Sequence, residues 1–437
     1  MRIDSISIDN FRGIDHLELT LDPQFTLLVG NNGAGKTSIL SALSVALGIW
    51  HVSRIVNGPN QWRNIMDHEV REVLRPTEGD RPQFEPVGEV QITATGSVGN
   101  RPSHSWTRAK RARKSRTTDP WSGNTKSDIV DACNARREQK EPLPLLAYYG
   151  GGRAWMPSNE RAIASLTGDL RDRLEDGYYD CLNERIRLKD ILKWFVLEAA
   201  TRDESGKFRP GFETVRLALS QGIADVDNVY YDLSKKELVI SINNVAQPFS
   251  NLSDGQRTMA ATVADLAIRA VTLNSYLFGN GNGQGYASPA VILQETPGVV
   301  LIDEVDVHLH PIWQRSVVKD LMSTFPKVQF ICSTHSAQVA GEVDGKSLRI
   351  FNPKNGRWET PSQSFGMDSN WILEVLMHGS KMDPEIEDRI KQIQQLASMR
   401  DLVEARRILL NLRERVGNSQ EIQFAASIID RIALLGK

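Results

Sequence analysis

Cysteine is scarce. Cys133, Cys181 and Cys332 are spread over 437 residues, too few and too far apart for a disulfide framework or a zinc site. That usage suits a reducing compartment, so the expected location is the cytoplasm. No run of 18 apolar residues occurs, which excludes a transmembrane helix. The N-terminus MRIDSISIDNFRGI carries acids and alternates apolar with polar, and so reads as a strand rather than a signal peptide. Net charge is nearly absent: 52 Lys+Arg stand against 54 Asp+Glu, a balance of −2. The surface as a whole is therefore not built for polyanions, although a local basic patch remains compatible. Residues 155–250 hold no sustained heptads and the chain has no internal repeat, which excludes a long coiled-coil arm and a solenoid. With 40% hydrophobic and 24% charged residues, the composition is that of a globular chain of about two or three domains.

Apolar patterning supplies the elements. Residues 2–8 and 16–21 alternate and predict two short antiparallel strands. FTLLVG (25–30) is a continuous apolar run, the mark of a strand buried on both faces. It leads into a glycine-rich loop and a helix-periodic stretch beginning at Lys36. Strands are expected at 89–98, 297–306 and 327–336, a strand feeding a glycine loop at 143–153, and a hairpin at 229–250. Helices are expected over much of 158–222, clearest at 190–200, and at 254–274, 384–399, 401–416 and 420–435. GNGNGQG (279–285) reads as a flexible loop and 357–365 as irregular.

The strongest chemical signal is Gly30-Asn31-Asn32-Gly33-Ala34-Gly35-Lys36-Thr37, a complete GxxxxGK[ST] between a buried strand and a helix. Glycines let backbone N–H groups curl around phosphate oxygens, and the helix N-terminus adds a positive dipole end. The nucleotide-binding set runs from Gly30 through Lys36 and Thr37 to Ser38. Lys36 would reach the β- and γ-phosphates, and the Thr37 hydroxyl would ligate Mg²⁺. The second signal is Val299–Ile302 followed by Asp303-Glu304. Acids at the carboxyl edge of a parallel sheet would stand beside a phosphate loop on the neighbouring strand. Asp303 would hold Mg²⁺, and Glu304 would polarise the attacking water. The third, Leu252-Ser253-Asp254-Gly255-Gln256-Arg257, opens a long helix with a good N-cap; read alone it is a simple capped helix. The fourth, Ser333-Thr334-His335-Ser336, follows an apolar strand. His335 is placed to meet a γ-phosphate, although a structural histidine is the commoner use.

The order phosphate loop, LSDGQ, LIDE, STHS resembles the ABC-type ATPase head of the RecF, Rad50, SMC and OLD families. That resemblance implies an α/β fold: a P-loop head with a mixed sheet, an antiparallel β-subdomain and a helical signature lobe, here followed by a C-terminal helical tail. It implies ATP and Mg²⁺ held between two heads. Lys36, Asp303, Glu304 and His335 would come from one, and Ser253, Gly255 and Gln256 from the other, making the protein at least a homodimer. NFRGI also resembles the group, which places Arg12 at the nucleotide. LLAYYGGGR, PGVVLIDEVDVHLHPIWQ, FPKVQFICSTHSAQV and FGMDSNWILEVLM are similar to a narrower bacterial family. That family serves Septu and some retron anti-phage systems and includes PtuA, whose partner PtuB is an HNH nuclease. The implied function is an ATP-hydrolysing sensor-regulator whose nucleotide-gated dimerisation controls such a nuclease. The alternatives are a RecF-type DNA repair ATPase and a non-hydrolysing scaffold. One departure stands out: such heads usually carry a glutamine at the end of a strand between phosphate loop and signature, whereas this strand ends YYGGGR, leaving Arg153 or the loop backbone in its place. No nuclease motif follows STHS.

Residues 101–118 are rich in cations and free of acids. Arg108, Lys110, Arg111, Arg113 and Lys114 form the candidate DNA contact, with Trp106 to stack on a base; a solvated basic edge is the plainer reading. His308-Leu309-His310 lacks a third metal ligand and is better read as structural. The expected division is a split nucleotide-binding lobe (1–50 and 286–380), a strand-rich insertion with the basic segment (51–154), a helical lobe with the signature (155–285) and a helical tail (384–437). The apolar stripes of that tail require packing, on its own head or on a partner.

Overall fold

The apolar run at 25–29 is buried along its whole length, as a strand covered on both faces must be. In the computed structural model of the chain it lies third in a six-stranded sheet. The structure describes residues 1–52, 63–75, 83–154, 177–205, 209–232, 234–235, 237–279, 288–379 and 383–435. The expected loop at 280–285 and the helical stretch at 158–176 lie outside these residues.

Fifteen strands are described: β1 Arg2–Phe11, β2 Ile14–Thr20, β3 Phe25–Val29, β4 Glu72–Arg75, β5 Gln83–Pro86, β6 Val90–Ser97, β7 His104–Lys110, β8 Leu145–Tyr149, β9 Val226–Asp232, β10 Glu237–Ile242, β11 Val245–Pro248, β12 Gly298–Ile302, β13 Val328–Thr334, β14 Leu348–Asn352 and β15 Arg357–Glu359. The central sheet has the order β15-β14-β3-β13-β12-β8. Its pairs are parallel except for the edge strand β15. A four-stranded antiparallel sheet, β2-β1-β6-β7, forms the β-subdomain, and β11-β10-β9 makes a smaller one. The α/β architecture with a mixed sheet and antiparallel subdomain is therefore present.

The alternating Ile3, Ile6 and Ile8 of β1 point into the core shared with Ile39, Leu40 and Leu43 of the helix Lys36–Leu47. Gln329, buried on β13, fastens the subdomain to the central sheet. Its side chain accepts from Ile3 N–H and donates to Ile3 and Asp22 carbonyls, at 2.7–2.9 Å. All its polar capacity is used, so its burial carries little penalty.

Several expectations need correction. The acids after β12 are not on the strand next to the phosphate loop, because β13 runs between β3 and β12. Residues 145–149 are an edge strand of the six-stranded sheet rather than part of an insertion, and 51–154 also holds the helix Gly123–Arg137. The hairpin at 229–250 is a three-stranded sheet, and 357–359 is strand.

The basic segment folds inward. Trp106 is 1% exposed and its indole N–H donates to Ala46 O at 3.0 Å. Arg108 is equally buried, clamped by Asp119, Asn64 and Arg63 O. Lys110 donates to Ile65 O and Asp67, and Arg113 pairs with Glu72 at 2.9 Å. Arg108 and Lys110 tie β7 to residues 63–67 and are not free for phosphates. Arg111, Arg113 and Lys114 remain exposed.

The chain divides into two compact units, Met1–Ser369 and Asn370–Lys437, a boundary earlier than the expected 384. The second holds the helices Pro384–Ser398, Leu402–Val416 and Gln420–Leu435. Asp383 and Asp401 cap the first two, each accepting a backbone N–H of the first turn. Ile390, Ile393, Ala405, Ile408, Leu412, Ile422 and Ile429 close a core among the three helices. The tail's apolar stripes thus cover one another. Among the described residues no helix is long and apolar enough to cross a membrane.

Candidate functional site

Three adjacent strands, β3, β13 and β12, deliver three motifs to one sheet edge. The loop after β3 needs glycine for stated reasons. Gly33 and Gly35 have φ of 83° and 90°, which side chains disfavour, and a Cβ on Gly30 would lie 3.0 Å from Phe351 Cβ. Lys36 is 6% exposed. Its ammonium donates to Gly30 O at 2.7 Å and Asn31 O at 3.2 Å, so it lies along the inside of its own loop. Burial draws its pKa down against the pull of Asp303, Glu304 and Asp306. Asn31, Asn32 and Thr37 are exposed; Ala34 and Ser38 are half-buried.

Thr37 Oγ1 donates to Asp303 Oδ2 at 2.7 Å, reaching across β13. Ser333, fully buried on β13, donates to the other oxygen of Asp303 and accepts the Glu304 N–H at 2.8 Å. Val305 N–H donates to Ser333 O at 2.9 Å. These bonds hold Glu304 at φ 50°, an uncommon backbone for a glutamate. Ser333 was read only as part of a motif; its role depends on which strand separates β3 from β12, which the sequence does not state. His335 is exposed just beyond β13. Next to it Thr334 donates to Asp306 at 2.5 Å, and Ser336 to Gln314 at 2.7 Å.

Arg12, at φ 52°, donates to Glu69 at 2.8 Å. Glu69 also receives Arg63 and Ser41, the latter from the helix that follows the phosphate loop. Burial alone would raise the Glu69 pKa; the Arg63 bonds, the Met66 N–H and Arg12 outweigh it and bring the value to about 2.

Ser253 caps the helix Asp254–Asn274. Its hydroxyl accepts from Gln256 N–H while the Gln256 side chain accepts from Ser253 N–H, a complete capping box. Ser253 is exposed and Gln256 half-buried. Gly255 is buried: a Cβ there would lie 2.1 Å from the His308 carbonyl oxygen. The close approach that glycine permits is thus to this chain's own turn after Glu304. His308, at φ 59°, serves that contact through its backbone. The same helix is tied to β8, where Tyr149 donates to Asp265 at 2.7 Å and Asp265 accepts from Arg269. Tyr149 O in turn accepts the Asp303 N–H at 2.7 Å. The side chain of Arg153 lies outside the description.

The arrangement offers a lysine and a loop for phosphates, and two oxygens in contact, from Thr37 and Asp303, for a hard cation. Among the described residues no group of three His, Cys, Asp or Glu would hold a metal by itself. Hard oxygen donors in that number suit Mg²⁺, which completes its shell from phosphate and water.

An AAA domain description matches residues 5–221, and a second AAA domain, of the AbiEii toxin and Type IV TA system description, matches residues 184–340. Over residues 5–340 the chain is thus similar to AAA-type ATPases. The chain is 25% identical to the retron Ec83 probable ATPase of Escherichia coli, over 88% of its own length and 78% of the relative's. It is 24% identical to the Septu protein PtuA of Bacillus mycoides over 79% of its length, spanning 40% of that relative. A solved SMC head, bound to the C-winged helix domain of ScpA, is similar at 13% identity and a TM-score of 0.49, over 84% of this chain and 98% of that one.

Proposed function

We propose that the protein binds and hydrolyses ATP at the β3–β13–β12 edge, and that two copies close on the nucleotide to control a partner nuclease in anti-phage defence. The observation that carries the ATP reading is the Thr37–Asp303 hydrogen bond across β13, beside the inward-lying Lys36. The backbone of Gly30–Lys36 cradles the phosphates, and Ser38 extends the same helix N-terminus toward them. Lys36 exchanges its loop carbonyls for β- and γ-phosphate oxygens. Thr37 and Asp303 would hold Mg²⁺, which would supply charge neutralisation at the phosphates. Glu304 takes the proton of the attacking water, His335 meets the γ-phosphate from the end of β13, and Arg12 approaches the nucleotide while anchored on Glu69. Ser253 and Gln256, at an exposed helix start, face the γ-phosphate of a second copy, and Gly255 sets the angle of that turn. The names of the retron and Septu relatives support the defence setting. The HNH character of the nuclease rests on the resemblance to PtuA.

A second reading, an ATP-binding scaffold with negligible turnover, is favoured by the glycine end of β8, where no glutamine stands. Phosphate release decides between the two. Wild type should turn over, Glu304→Gln should bind ATP with turnover lowered on the order of a hundredfold (about 2.7 kcal/mol), and Lys36→Ala should lose ATP binding at equilibrium. Equal inertness of wild type and Glu304→Gln, with ATP still bound, would establish the scaffold. Retained binding in Lys36→Ala would overturn the site. The mass of the particle should rise with ATP, and co-expression with the neighbouring gene's product tests the nuclease partner.

A further inference from the structure

The strand β8 ends in two glycines whose missing side chains are replaced by acids from elsewhere. A Cβ on Gly150 would lie 2.7 Å from Glu184 Cβ, 3.0 Å from its Cγ and 3.3 Å from its Cδ. A Cβ on Gly151 would lie 3.2 Å from Glu304 Oε2 and 3.3 Å from Glu304 Cδ. Adjacent Cα atoms are 3.8 Å apart, so the two carboxyl carbons lie within about 13 Å of each other. The backbone fixes this placement. Residues 181–184 run along the outer edge of β8, with Tyr148 N–H donating to Cys181 O at 2.7 Å and Gly150 N–H to Glu184 O at 2.9 Å. On the other side, Tyr149 stands opposite Ile302 in register, which brings Gly150 beside Asp303. Side chains alternate across the sheet. Tyr149 points to the signature helix, so Tyr148 and the Gly150 position share the opposite face.

A second observation marks the same place. Tyr148 is 1% exposed, and its hydroxyl is buried without a hydrogen-bond partner among the described residues. Burial and the charges of Glu184 and Asp303 push its pKa up, against the pull of Arg12 and Arg63. A buried hydroxyl on the face that the Gly150 position shares, lacking a partner among the described residues, fits a spot where an ordered water belongs.

We propose that Glu184 is a third acid of the nucleotide site: its carboxylate, lying in the space of the absent Gly150 side chain, receives a metal-bound water from the β8 side, with the Tyr148 hydroxyl as that water's second partner. The proposal rests on the ATP reading. It assigns the position at the end of β8 to a residue some thirty places later in the chain, delivered by backbone pairing.

Equilibrium binding of a fluorescent, non-hydrolysable ATP analogue, titrated with Mg²⁺, tests it in the full-length protein. Glu184→Ala should raise the Mg²⁺ concentration for half-maximal binding about tenfold and leave binding at saturating Mg²⁺ unchanged. Glu184→Gln, which keeps an oxygen acceptor, should recover most of the shift. Gly150→Ala, which displaces Glu184, should reproduce the Glu184→Ala shift. Unaltered Mg²⁺ dependence in Glu184→Ala, with wild type binding the analogue normally, would overturn this proposal and leave the ATP reading intact. Failure of wild type to bind the analogue at any Mg²⁺ concentration would overturn both. A Glu184→Ala protein with lowered binding even at saturating Mg²⁺ and a lowered melting temperature would mark Glu184 as structural and also overturn it.

Discussion

Replacing Ser333 with alanine removes one hydroxyl that serves both acids of the site. Its oxygen donates to Asp303 and accepts the Glu304 N–H, and the side chain is fully buried. Alanine fits the space, so no clash or large cavity confuses the result. The loss leaves a carboxylate oxygen and a backbone N–H each short of a partner, at about 1–3 kcal/mol apiece. Asp303 keeps its 2.7 Å bond from Thr37, which limits the net cost to about 2.5 kcal/mol. The unit Met1–Ser369 gains about 2.1 cal/mol/K of unfolding entropy per residue, so that cost lowers its melting temperature by about 3 °C. Glu304 also loses the bond that holds its left-handed backbone, and turnover should fall on the order of tenfold or more. Thermal scans and phosphate release, run side by side with Ser333→Thr as the variant that keeps a hydroxyl, provide the assay. A Ser333→Ala protein that melts within 1 °C of wild type and turns over at the same rate would refute the account of how β13 sets the two acids.

Two further outcomes concern groups away from the phosphate loop. Arg108→Ala takes from Asp119 its buried partner and leaves it Lys126 at 3.2 Å, and should destabilise the head by about 1–3 kcal/mol, read by chemical denaturation; nucleic-acid affinity, measured in a salt series, should not change, and a specific loss of affinity without loss of stability would restore the DNA reading. Glu69 has its folded-state pKa brought from 4.5 to about 2, so its contribution is fully present above pH 4.5 and disappears as the pH falls toward 2. In Glu69→Gln the melting temperature should be lower at neutral pH and fall less steeply than wild type across pH 4.5–2; parallel curves would contradict the assignment.

Local signals in the chain were reliable where one stretch carries its own evidence. The phosphate loop is legible because glycine backbone, lysine and threonine are contiguous, and the helix Asp254–Asn274 because its cap and its apolar period adjoin. The three tail helices follow from apolar spacing such as Ile386, Ile390 and Ile393. What the chain conceals is pairing between distant segments. Nothing near Asp303 announces that Ser333 lies between it and Thr37. Nothing in a run of arginines tells which have an acid waiting: Arg108 and Lys110 alternate with Trp106 on β7, and all three are buried, Arg108 against Asp119 and Lys110 against Asp67 at the surface end. A charge run on a strand has period two, and only half of it needs to be solvated.

The signature helix touches the segment bearing Asp303 and Glu304 at two points, and this bears on how the proposed switch would work. At its start Gly255 packs on the His308 carbonyl, in the turn that leaves Glu304. Three turns later Asp265 receives Tyr149, whose carbonyl accepts the Asp303 N–H. Burial and the charge of Asp265 hold the Tyr149 pKa well above its ordinary value, so the phenol remains a donor at any physiological pH. Gly255 and Tyr149, the buried partners of the two contacts, leave no room for slack, so small displacements are passed on rather than absorbed. On the proposed reading, a second copy's nucleotide pulls on Ser253 and Gln256 at the exposed end of this helix. The same movement then reaches this chain's own acids through the Gly255 and Tyr149 contacts. Hydrolysis in one site would thereby depend on occupancy of the other, with a coupling that Tyr149→Phe should weaken: it removes the bond to Asp265 while leaving the backbone carbonyl that holds Asp303. The expected result is a wild-type ATP dependence with a Hill coefficient above one that falls toward one in Tyr149→Phe at nearly unchanged ATP affinity; equal coefficients in the two proteins would separate the signature helix from the chemistry.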